Sequence, residues 1–144
     1  MYYLAYGSNM NHEQMKERCK DSKFLGSAKL EGYKFVYDGY SSGRDGAVGN
    51  IIPSESDFVL GGLFEISEND LKSLNGYEGY PDHYQRNDEF EVIFSGKKIK
   101  NVIAYFRKGE LEGSPSKEYQ DVVVKGARDC SLPQDYIQKY LEKV

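Results

Sequence analysis

The stretch KFLGSAKLEGYKFVYDGY, residues 23–40, decides the fold through its strand content. Its two halves, KFLGSAKL and YKFVYDGY, are rich in aliphatic and aromatic residues, and the second alternates aromatics with polar residues as a half-buried strand does. Glu31-Gly32 between them has the composition of a tight turn, so a hairpin is expected there, and with it a β-meander in the middle of the chain.

Outward from this segment the same reading continues. MYYLA (1–5) suits a first strand, and NHEQMKERCK (11–20) a helix capped near Met10 or Asn11. SSGRDGAVGN (41–50) reads as a glycine-rich loop leading into the strand GNIIPS (49–54). DFVLGGLFEI (57–66) is a strong β run in which Gly61-Gly62 suggests a bulge or a tight bend. Ser67, with Asp70 three residues on, predicts a short helix from Glu68 to Leu74 that stops at Gly76. YQRNDEFEVIF (84–94) and KKIKNVIAYFRK (97–108), parted by Ser95-Gly96, form a long antiparallel pair. After the loop GELEGSPS (109–116) two helices follow, SKEYQDVVVKGARDC (116–130) and QDYIQKYLEKV (134–144). Six or seven strands in consecutive hairpins with two or three helices predict an α+β fold around a curled antiparallel or mixed sheet.

At 144 residues with 39% hydrophobic content the chain has material for one core, and a single domain spanning 1–144 is expected. The net charge of −4 comes with Lys and Arg spread along the chain, so nothing resembles the basic stripe that nucleic acid or an anionic membrane requires. Neither a signal-peptide pattern nor an apolar run long enough to span a bilayer occurs, so a cytoplasmic chain is expected. Cys19 and Cys130 lie far apart without a CxxC pair, and His12 and His83 are the only imidazoles, so no metal is expected and the thiols read as reduced and structural.

Three features carry chemistry. Glu78, flanked by Tyr77, Tyr80 and Tyr84, is a carboxylate among aromatic rings, and such a setting raises a carboxyl pKa toward the range of a base at neutral pH. A solvated loop acid of the same sequence would have no such role, and Glu31 in the similar string LEGYK is explained by a turn. The YGSN segment (6–9) admits two readings: a cap for the following helix, or exposed backbone N–H groups at a helix start that hold an anion. Ser8 lacks the GxSxG surroundings of a nucleophile, and the glycines at 43, 46 and 49 match no phosphate-binding motif.

Together, YLAYGSNM at the start, SLNGYEGYPDHYQR in the middle and PSKEYQDVVVKGARDCSLPQDYIQKYLEKV at the end resemble the γ-glutamylcyclotransferase family in order and spacing. The resemblance covers nearly the whole chain, and the YGSN form together with the Gly126–Tyr136 ending resembles the γ-glutamylcyclotransferase branch rather than its glutathione-specific or γ-glutamylamine relatives. It implies a small mixed, mostly antiparallel β-barrel with flanking helices, and cyclisation of γ-glutamyl amides to 5-oxoproline with no metal or organic cofactor. It further implies Glu78 as the acid/base, and substrate binding by Tyr3, Leu4, Ala5, Tyr6, Gly7, Ser8 and Tyr119. The partner implied is a small γ-glutamyl molecule, with the chain itself a monomer or homodimer. RDGAVGNI departs from the GGIATI-like string usual in the family. The alternatives are a cyclotransferase acting on a γ-glutamylamine or a γ-glutamyl protecting group, and a non-catalytic module that binds a small acid.

Overall fold

The computed structural model describes residues 1–143 as a closed five-stranded barrel with helices around it. Its strands are β1 (Tyr2–Ala5), β2 (Lys23–Ser41), β3 (Gly46–Glu65), β4 (Gln85–Phe94) and β5 (Lys97–Phe106), and around the barrel they run β1-β3-β2-β4-β5. Every pairing is antiparallel except the closure, where β1 runs parallel to β5 with Tyr2 opposite Val102 and Tyr3 opposite Ile103. The expected mixed, mostly antiparallel barrel is therefore observed.

Five strands replace the expected six or seven because two of them are long. β2 does not turn back at Glu31-Gly32. The register slips there by a bulge, with Gly32 at φ 84°, and the strand continues. A bulge adds one residue on one side of a pair and bends the strand, which is how a long strand curls far enough to close a barrel. The hairpin turn lies instead at Ser42–Asp45, so half of the expected glycine-rich loop is turn and the rest, from Gly46, is strand. Gly61 and Gly62 make no bulge either: Ala28 and Ser27 pair with them in unbroken register, and their missing side chains admit the Ala5 backbone and the Cys130 sulfur.

The barrel encloses Leu4, Ile51, Val59, Leu63, Val92 and Val102, all at most 1% exposed. Burial of such side chains at about 1.5–3 kcal/mol each is the main force holding the strands closed. The helices are α1 (His12–Arg18), α2 (Glu68–Glu78), α3 (Lys117–Asp129) and α4 (Gln134–Tyr136), and α4 widens into a π-helix at Ile137–Leu141. The π turn interrupts the continuous helix expected over 134–144, whose last residue, Val144, lies outside the described residues.

Between β1 and α1 the chain makes one 3₁₀ turn, Ser8–Met10. Asn11 then caps α1 by accepting from the Gln14 N–H at 3.0 Å. α3 rests on this turn through Gly126, where a Cβ would fall 2.6 Å from the Met10 carbonyl carbon. Backbone against backbone leaves little freedom, so the break after β1 is held in one place.

Candidate active site

Glu78 closes α2, and two features of the sequence put it there. Ser67 and Asp70 form a reciprocal capping box, each side chain accepting the other's N–H at 3.1 Å, which starts the helix where expected. Gly76 does not end it. A glycine inside a helix costs only about 1 kcal/mol, and the stop is Gly79 at φ 62°, with the Tyr80 N–H returning to the Asn75 carbonyl at 2.9 Å. Glu78 is thus not in a loop after the helix but its last residue, which fixes the direction of its side chain. A carboxylate at a helix C-terminus faces the negative end of the dipole, an unfavourable position that stability alone would not select.

The side chain of Glu78 is half-buried and faces a cavity of about 720 Å³ between α2, the β2–β3 hairpin turn and the start of α3. It also lines a smaller niche of about 40 Å³ formed by Tyr3, Tyr6, Gly7, Ser8, Asn9, Gly49, Tyr84 and Tyr105. Ser8, Glu78 and Tyr84 border both spaces, so the niche is the inner end of the larger cavity. Among the described residues nothing donates a hydrogen bond to the Glu78 carboxylate or pairs with it, although Arg18, Arg44 and Arg107 lie close enough to be felt. Burial pushes its pKa from 4.5 up to about 7, against the three guanidinium groups, which pull it down. At neutral pH the group can therefore exchange a proton in either direction.

The aromatic wall is pinned through Gly49. Its N–H donates to the Tyr119 hydroxyl at 2.9 Å, and its carbonyl accepts from the Tyr84 hydroxyl at 2.8 Å. Tyr6 donates to the Tyr105 carbonyl at 2.6 Å, and Tyr105 donates to Asn75 at 2.6 Å. Tyr3 and Tyr119 differ from these. Tyr3 accepts from the Asn9 amide at 3.0 Å and Tyr119 from Gly49, and no described residue takes the proton of either phenol.

The structure therefore brings Tyr3, Tyr6, Gly7, Ser8, Glu78 and Tyr119 together around one connected space. Leu4 and Ala5 it does not: both are 0% exposed and line neither cavity, so only their backbone helps shape the wall. Ser8 is engaged by the Gln14 amide at 2.8 Å rather than by an imidazole, and His12 packs 4.5 Å from the Phe24 ring. YGSN is not itself the cap of α1, which Asn11 supplies; the segment forms the 3₁₀ turn Ser8–Met10 that leads into that cap.

Three arginines were not singled out from the sequence. Arg107, on the loop after β5, forms a 2.8 Å ion pair with the fully buried Asp38 and another 2.8 Å pair with Glu110. Asn50 secures this pair, bonding Asp38 and both backbone polar groups of Arg107. Arg44 sits in the hairpin turn and Arg18 in the last turn of α1. The available signal was the helical spacing of Gln14 and Arg18, four residues apart and hence on one face.

Residues 58–140 match the AIG2-like family, and the chain belongs to that family. It is 28% identical over 142 residues to the gamma-glutamylcyclotransferase of Homo sapiens, covering 95% of this chain and 75% of that one. To the gamma-glutamylcyclotransferase of Mus musculus it is 27% identical over 141 residues, with 95% and 75% covered. A solved structure of a gamma-glutamyl cyclotransferase superposes with a TM-score of 0.89 at 26% identity, covering 100% of this chain and 92% of that one.

Proposed function

We propose that the chain is a γ-glutamylcyclotransferase, which folds a γ-glutamyl amide back on itself and releases 5-oxoproline and a free amine. The observation that carries this reading is the unpartnered Glu78 carboxylate, titrating near neutrality at the junction of the niche and the cavity. Its chemistry fits the reaction. The α-ammonium of the substrate must lose a proton before its nitrogen can attack the γ-carbonyl, and the leaving nitrogen must gain one. A single group with a pKa near 7 serves both steps.

The rest of the wall supplies position and charge. Attack produces an oxyanion, and the N–H groups of the Gly7–Ser8 turn with the free phenol protons of Tyr3 and Tyr119 are the donors available for it and for the α-carboxylate. Because the attacking and attacked groups belong to one molecule, holding the glutamyl chain in a curled shape accounts for much of the barrier. No cofactor takes part in this scheme. Incubation with γ-glutamylalanine should release 5-oxoproline and alanine in equal amounts; persistence of the intact dipeptide would contradict the reading.

A further inference from the structure

Asp38 lies outside both cavities, yet its carboxylate is turned wholly to a group that faces one of them. Its Oδ2 accepts from the Asn50 amide at 3.2 Å and from the Glu110 N–H at 3.0 Å, whereas Oδ1 has among the described residues no partner but the Arg107 guanidinium, 2.8 Å away. Arg107 is further held by Glu110, which is exposed, and lies 4.8 Å from the centre of the Tyr84 ring. A buried ion pair adds little net stability over an apolar replacement. The placement of this one calls for another account, because Arg107 borders the same cavity as Glu78 on a long, flexible side chain.

The charged groups felt by Glu78 are Arg18 of α1, Arg44 of the hairpin turn and Arg107 after β5. Arg18 is held by the Asn9 side-chain oxygen at 3.2 Å and Arg44 by that of Gln14 at 2.9 Å, both neutral acceptors. Around the rest of Glu78 stand the phenols of Tyr3, Tyr6, Tyr84, Tyr105 and Tyr119, which burial keeps protonated at neutral pH. Asp82, His83 and Glu110 border the outer cavity. Glu78 itself must stay unpartnered, since the substrate's ammonium is the cation it has to receive. An arginine free to reach it would take that place, because opposite charges attract strongly where water is scarce.

Resting on the cyclotransferase reading, we propose that Asp38 is a positioning residue for the reaction: it occupies Arg107 and so keeps that guanidinium from closing onto Glu78 in place of the substrate's ammonium.

The test follows kcat/KM for 5-oxoproline release from γ-glutamylalanine as a function of pH, using wild type, Asp38→Asn and the double variant Asp38→Asn/Arg107→Met. An asparagine oxygen can still accept from Asn50 and the Glu110 N–H, but its amide turns a donor toward Arg107 and frees it. In Asp38→Asn the acid limb should move down by about one pH unit or more, as for a carboxylate that gains an opposite charge. With its base weakened and its cavity partly filled, this variant should lose about tenfold in kcat/KM at pH 8. The double variant has no guanidinium to close onto Glu78, so its limb should return to the wild-type position or above it and most of the lost rate should come back. The position of a limb does not depend on how much of a sample is folded. An Asp38→Asn limb at the wild-type pH would overturn the inference and leave the cyclotransferase reading standing, as would a double variant no faster than the single one. Failure of wild type to release 5-oxoproline would remove both.

Discussion

The Tyr119 hydroxyl accepts the Gly49 N–H at 2.9 Å, joining the first turn of α3 to β3 across the cavity. Tyr119 is 6% exposed, so no water replaces the hydroxyl freely when it is removed. Tyr119→Phe should lower stability by about 1–2 kcal/mol, the cost of leaving a buried N–H without an acceptor. Turnover should fall about tenfold as the wall loosens. Chemical denaturation and 5-oxoproline release measure the two effects; a Phe variant indistinguishable from wild type in both would show that the bond organises nothing.

The pH dependence of kcat/KM should carry an acid limb near 7. Glu78 accepts the substrate proton only when ionised, and burial holds its pKa at about 7 rather than the ordinary 4.5. Because Arg44 is among the groups that pull this value down, Arg44→Met should move the limb to higher pH. A limb near 4.5 would mean that the titrating group is a solvated acid.

The same shift bears on stability. A carboxyl whose pKa is higher in the folded than in the unfolded chain favours folding most below the unfolded value, and that advantage disappears as pH rises through the folded value. Wild type should therefore lose stability relative to Glu78→Gln between about pH 4.5 and 7, by up to about 3 kcal/mol. Parallel urea titrations at pH 4.5 and pH 8 check this. A difference between the two proteins that does not change with pH would argue against a buried, ionisable Glu78.

Asp38 offers a structural counterpart. It is 0% exposed and its 2.8 Å contact with Arg107 joins β2 to the segment after β5. Removing Asp38 leaves Arg107 with only the exposed Glu110 and takes the buried acceptor from the Asn50 amide, so Asp38→Ala should cost about 3 kcal/mol. Its denaturant midpoint should fall accordingly, whereas a loss below about 1 kcal/mol would place the ion pair among the weakly contributing surface pairs.

Local signals in the sequence led to the right elements where local chemistry governs. The Ser67–Asp70 box, the turn at Ser95-Gly96 and the helix after Ser116 are each set by a few neighbouring residues. Gly32 misleads, because a glycine with positive φ is equally suited to a hairpin turn and to a bulge, and only barrel closure selects the bulge. Gly76 misleads for the same kind of reason, with the true stop three residues later. In the site, Glu78 stood out through its aromatic neighbours and Gly7, Ser8 and Tyr119 through the family resemblance. The arginines did not, since the buried partner that sets Arg107 apart, Asp38, comes from a distant part of the chain.

The most direct measurement of the account is the rate of 5-oxoproline formation from γ-glutamylalanine by wild type and by Glu78→Gln, side by side at pH 8. Glutamine keeps the size of the side chain and cannot take the proton. The Gln variant, folded and still binding 5-oxoproline, should be slower by about a hundredfold or more. A Gln variant that cyclises the dipeptide at the wild-type rate would contradict the central claim that Glu78 moves the proton.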